Sequence, residues 1–134
     1  SLGPTAEVYH LSDPLANQEL GLALETLLDL LENSLPMPLL YTIGSHFLKL
    51  LKFKYTLALT NPAALAVQRP LGFHPYTFDK MRTQAGKWSW SDLSGALGAV
   101  LKAHRTLVTS STPQQIVLEE LTVSLGTFCS RQPL

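Results

Sequence analysis

Apolar residues recur every three or four positions along each long stretch of this chain, and no stretch sustains the alternation of a strand. That periodicity strongly constrains the fold, because residues three and four apart share one face of an α-helix. Between the periodic stretches lie compact stop-and-start signals built from Pro, Gly, Asn, Ser and Thr. The expectation is an all-α fold, a compact bundle of about five to six helices.

The signals divide the chain as follows. Val8-Tyr9-His10-Leu11, before Ser12-Asp13-Pro14, reads as one or two helical turns. Asn17 is the predicted N-cap of a helix with apolar positions Leu20, Ala23, Leu24, Leu27, Leu28, Leu30 and Leu31, opposite Glu25, Asp29 and Glu32. Asn33-Ser34 ends it, and Pro36 and Pro38 open the longest helix, predicted from about Pro38 to Leu59. Its spacing comes from Leu39, Leu40, Ile43, Phe47, Leu50, Leu51 and Leu57, with Lys49, Lys52 and Lys54 as polar cover. Asn61-Pro62 starts a short helix that stops near Leu71-Gly72.

His74-Pro75 starts the next helix, which carries Phe78, Met81 and Ala85 on one face and ends near Gly86. Ser89 caps another, with Asp92 three residues on. Its expected inner stripe is Leu93, Leu97, Val100, Leu101, His104 and Val108. Thr112 is the predicted N-cap of the last helix, which uses Ile116, Leu118, Leu121, Val123, Leu125 and Phe128. One domain is expected over residues 8–130, between tails at 1–7 and 131–134.

Composition narrows the function. Only 15 % of the 134 residues are charged, and net charge is zero, with ten bases against ten acids. A generic nucleic-acid binder is normally basic, and a low charge fraction is expected of a surface partly covered by something else. Residues 1–67 hold three bases against six acids, and residues 68–134 hold seven against four. The single cysteine, Cys129, forms no internal disulfide and reads as a small apolar residue, in keeping with a reducing compartment. No run reaches the ~18 apolar residues of a membrane span, and no signal segment opens the chain. Ser1 in place of an initiator Met suits a processed protein or one domain of a longer one.

No catalytic constellation can be assembled. His10, His46, His74 and His104 lie far apart and form no zinc-binding spacing, so they read as packing, capping or surface histidines. Gly44-Ser45-His46 falls inside a periodic helix, where a strained nucleophile turn does not fit. No phosphate-binding glycine loop occurs. Glu119-Glu120 point to different sides of a helix and do not make an acid/base pair. No catalytic residue, metal ligand or cofactor site is expected.

The richest stretch is Leu71-Gly72-Phe73-His74-Pro75-Tyr76 with Trp88 and Trp90 beyond it. It reads as a corner between helices, with the aromatic residues as candidate wedges. An alternative is a DNA-reading helix-turn-helix over residues 63–85. Its second helix holds Tyr76, Thr77, Lys80, Arg82, Thr83 and Gln84, types that contact phosphates and base edges. Arg69, Lys80, Arg82 and Lys87 are then the candidate DNA contacts.

Taken in order, these elements resemble the C-terminal third of the delta subunit of the bacterial DNA polymerase III clamp loader, from about Val8 to Phe128. Leu22-Ala23-Leu24-Glu25-Thr26-Leu27-Leu28 resembles its A-L-x-x-L-x-x-L-L helix. His46-Phe47-Leu48-Lys49-Leu50-Leu51 with Lys54 resembles its R-Q-F-R-L-L-L-x-x-K helix. Leu71-Gly72-Phe73-His74-Pro75-Tyr76, then Lys80-Met81 and Gln84-Ala85, is similar to L-G-L-H-P-Y…K-L…Q-A. Trp88-Ser89, Leu93 and Ala96-Leu97 are similar to W-S…L…A-L. Thr109-Ser110-Ser111 departs from the L-K-T-G that precedes the family's last helix.

The resemblance implies a non-catalytic helical domain of a cytoplasmic bacterial replication protein whose parent holoenzyme is a DNA-directed DNA polymerase. In that family, two AAA+-like domains precede this one and open the sliding clamp. The third packs with equivalent domains of gamma/tau-like and delta-prime-like subunits into the collar of a hetero-pentamer. The resemblance therefore implies subunit association as the role of this chain, with the clamp reached through domains absent here.

Overall fold

The computed structural model describes residues 5–59 and 75–130. Among the described residues six helices and no strand occur: α1 (Thr5–Ala16), α2 (Leu20–Leu31), α3 (Pro36–Leu59), α4 (Pro75–Gly86), α5 (Trp90–Thr109) and α6 (Gln114–Ser130). The short helix expected after Asn61 lies outside the described residues.

The all-α expectation holds, and α3 is its axis. Leu39, Leu40, Ile43, His46, Phe47, Leu50 and Phe53 are buried along it, at the spacing of one helical face. That face packs against α1, α4, α5 and α6. Each fully buried large apolar side chain contributes about 1.5–3 kcal/mol relative to exposure. That outweighs the ~1 kcal/mol cost of Gly44 within the helix. The absent side chain at Gly44 has a packing use, since a Cβ there would lie 3.1 Å from Val100 Cγ1 on α5. A second close approach lies at Gly95 of α5, where a Cβ would meet the Phe128 ring of α6 at 2.8 Å.

α1 is longer than its short apolar patch suggests, because Ser12, Asp13 and Pro14 are helical. Proline in a helix interior removes one hydrogen bond. Burial of Leu11, Leu15 and Ala16 holds the turn in place. Asn17 is not the N-cap of α2. That position falls to Glu19, which makes no side-chain cap bond. Instead α1 ends in a Schellman motif, with Glu19 N–H on the Pro14 carbonyl and Gln18 N–H on the Leu15 carbonyl. Gln18 takes the left-handed conformation, φ 62°, that usually selects glycine.

Other boundaries agree more closely. α4 begins at Pro75 and ends at Gly86. Ser89 caps α5, its hydroxyl accepting from Asp92 N–H at 3.0 Å. α3 begins at Pro36, one half-turn before the expected start. α6 begins at Gln114, so the N-cap position expected of Thr112 falls to Pro113, whose carbonyl accepts from Val117 N–H.

Two stripes need correction. On α5 the inner positions are Leu93, Ala96, Ala103 and Leu107, whereas Leu101 and Val108 are 70 % and 57 % exposed. Small alanines let α5 approach its neighbours, and the leucines beside them are turned outward. On α6, Val117, Leu118, Leu121, Leu125 and Phe128 are buried, and Ile116 and Val123 face out.

Candidate functional site

The corner between α4 and α5 is locked onto the corner between α1 and α2. Gly86 ends α4, and Ser89 starts α5, so Lys87 and Trp88 are held in a tight connection. Trp88 points inward and is fully buried. Its ring meets Phe47 of α3 edge-on at 4.9 Å and Phe128 of α6 at 5.7 Å. Its indole N–H donates to the Ala16 carbonyl at 2.9 Å. That carbonyl lies in the last turn of α1, where backbone acceptors lack intrahelical partners. Lys87 Nζ donates to the Asn17 carbonyl at 3.3 Å, and Gln18 Nε2 donates to the Lys87 carbonyl at 3.0 Å.

A polar chain runs beneath this corner and ties α1, α3 and α4 together. Gln84 Nε2 donates to Asp13 Oδ1 at 3.0 Å. Gln84 Oε1 therefore accepts, and His46 Nε2, 2.7 Å away, carries the proton. Lys80 Nζ lies 3.3 Å from Asp13 Oδ2, both side chains being about one-third exposed. Burial lowers the His46 pKa from the ordinary histidine value of 6.5, and the hydrogen bond to Gln84 opposes that shift only in part. His46 is thus a neutral, hydrogen-bonded packing residue.

The structure separates the residues singled out in the sequence. Arg69, Leu71, Gly72, Phe73 and His74 lie outside the described residues. Pro75 opens α4. Tyr76 is 72 % exposed in its first turn. Trp90, 45 % exposed, stacks edge-on with Tyr55 at 6.5 Å, and Lys54 Nζ lies 5.6 Å from its ring centre. Lys80 and Lys87 make the internal contacts given above, and Arg82 is exposed on α4. No group of three or more potential metal ligands comes together among the described residues. No helix among them is long and apolar enough to cross a membrane.

A concave feature lies elsewhere among the described residues, between α3 and α5. It is an apolar groove of about 400 Å³, with Tyr41, Leu48, Leu97, Val100, Leu101 and His104 on its walls and Gly44 at its base. Sequence reasoning missed it by placing Leu101 inside with Leu97, Val100 and His104, which are half-buried along the groove wall. The signal that could have found it is Ala96 and Ala103, small residues beside larger ones on the same helix. A polar notch of about 170 Å³ adjoins the groove through Tyr41 and Ser45 and continues over Thr42, His46 and Lys49.

Comparison with protein families gives a match over residues 5–125 to the model described as DNA polymerase III delta subunit, C-terminal domain. No curated protein and no solved structure matches the chain.

Proposed function

The chain belongs to the family of C-terminal domains of DNA polymerase III delta subunits, and on that premise we propose that it is a collar domain. Its task is to join the delta subunit to gamma/tau-like and delta-prime-like subunits in a hetero-pentameric clamp loader. The domain itself carries out no catalysis. Clamp opening falls to other domains of the subunit, and cytoplasmic replication is the setting.

The observation that carries this reading is the α3–α5 groove, an apolar surface open to solvent on a domain with little charge. Contiguous exposed apolar area of this kind marks contact with another macromolecule. The exposed Leu28 on α2 and Tyr55 farther along α3 add to the apolar surface available to neighbours in a ring.

DNA binding by residues 63–85 has less support. Lys80 is paired with Asp13, and Lys87 donates to the end of α1, so both cations serve the fold. The test is direct: the chain is mixed with the other clamp-loader subunits and passed over a sizing column, and a labelled duplex is titrated at two salt concentrations. Co-elution with the subunits is expected. No co-elution, with submicromolar duplex binding that falls steeply with salt, would replace the collar reading with the DNA-binding one.

A further inference from the structure

We infer that the α3–α5 groove and its polar notch together form a docking site for one amphipathic helix of a neighbouring clamp-loader subunit. That helix carries leucine-type residues three and four apart, with carboxylates along one flank. The inference rests on the collar reading and adds the site and the chemistry of its occupant.

Three features select this occupant. First, the groove lies between two packed helices and is lined mainly by apolar side chains, a setting into which a helix can lay its apolar stripe. Leu101 and Leu48 are exposed at opposite walls, and Tyr41 and His104 pair across the opening with ring centres 6.1 Å apart.

Second, the charged residues of the two helices that form the groove are nearly all basic, and Lys49 lines the adjoining notch. α3 contains no Asp or Glu, and the only acid of α5 is Asp92 at its N-terminus. Lys49 and Lys52 on α3 and Arg105 on α5 are exposed. A partner flank of carboxylates meets these two helices favourably, and a basic flank is repelled.

Third, the notch shares Tyr41 and Ser45 with the groove and leads to Lys49. It therefore offers hydroxyl groups and an ammonium group beside the apolar stripe. A carboxylate on the flank of a docked helix can enter it, which fixes the register of that helix.

A second copy of this chain is the competing occupant, because α2 presents Leu22 and Leu28 among the exposed Glu25, Asp29 and Glu32. The reconstituted clamp loader containing the full delta subunit distinguishes the two. Leu101→Glu and Lys49→Glu are each expected to weaken assembly at least tenfold, while Val123→Glu on α6 leaves it within about twofold. All three residues are solvent-exposed, and circular dichroism melting confirms that the variants fold.

In an otherwise unaltered subunit, the photoreactive substitution Leu101→benzoylphenylalanine is expected to cross-link to a helix of a neighbouring subunit that bears leucines and carboxylates. Undiminished assembly of both groove variants, an equal loss for Val123→Glu, or cross-linking to a second copy of this chain would each overturn the inference. In the first and third cases the collar reading stands if the unaltered subunit assembles. Failure of the unaltered subunit to assemble brings down both.

Discussion

Trp88 shows how much one side chain can organise here. It fills the space between α3 and α6 and satisfies a backbone acceptor at the end of α1. Trp88→Phe retains most of the ring contact but leaves the Ala16 carbonyl without its indole donor, at a cost of about 1–3 kcal/mol. Trp88→Ala also opens a cavity and is expected to cost about 3–5 kcal/mol. Denaturant titration checks both: no loss for Trp88→Phe would show that the hydrogen bond contributes nothing, and equal losses would show that the ring contacts add nothing beyond it. His46 makes the stability sensitive to acid. Its folded pKa lies below the unfolded value of 6.5, so the unfolded chain takes up the proton first as pH falls. The His46 contribution is fully present above pH 6.5 and is lost as pH drops from there through the lower folded value. The slope it adds is at most ~1.4 kcal/mol per pH unit. His46→Gln is expected to flatten stability measured between pH 7 and 5; an unchanged slope would assign it to other groups. The sequence identified Trp88 as a wedge candidate from its place beside an N-cap, and left His46 among packing, capping or surface histidines. Neither the Ala16 acceptor nor Gln84 was legible, because both partners are distant in the chain.

Helices were the most legible level, since period and punctuation are local. Ser89 with Asp92, and Pro75 with Gly86, mark boundaries through backbone hydrogen-bonding needs alone. Errors arose where tertiary contacts override local preference. Gln18 occupies a left-handed site and reaches across to Lys87, so a glycine-based rule passes over the true end of α1. On α5, hydrophobicity favoured Leu101 and Val108 as inner residues. Close approach instead required Ala96 and Ala103 there, a condition set by α3 and α6. Gly95 belongs to the same geometry. Gly95→Ala gains helix propensity of about 0.8–1 kcal/mol but drives a methyl group into the Phe128 ring. Overpacking of this kind costs about 1–3 kcal/mol, so a net loss in melting temperature is expected. A rise would mean that the Phe128 ring moves aside freely.

At the scale of the whole molecule, packing joins residues far apart in sequence into two distinct surfaces. One is the α1–α4 corner, where Asp13, Gln84, Lys80 and Lys87 turn much of their polarity inward to hold the fold. The other is the α3–α5 groove, where apolar side chains remain outward beside the notch that holds Lys49. The ordered motifs made the family legible from the sequence. The groove was not, because it depends on how two helices separated by thirty residues are rotated against each other. A domain that commits Asp13, Gln84, Lys80 and Lys87 to its own fold and leaves an apolar groove open is suited to association with other proteins. Sedimentation velocity of this chain, alone and mixed with gamma/tau-like and delta-prime-like subunits, tests that claim most directly. The account predicts a faster-sedimenting complex containing the chain in the mixture; independent sedimentation of every component at micromolar concentration would contradict it.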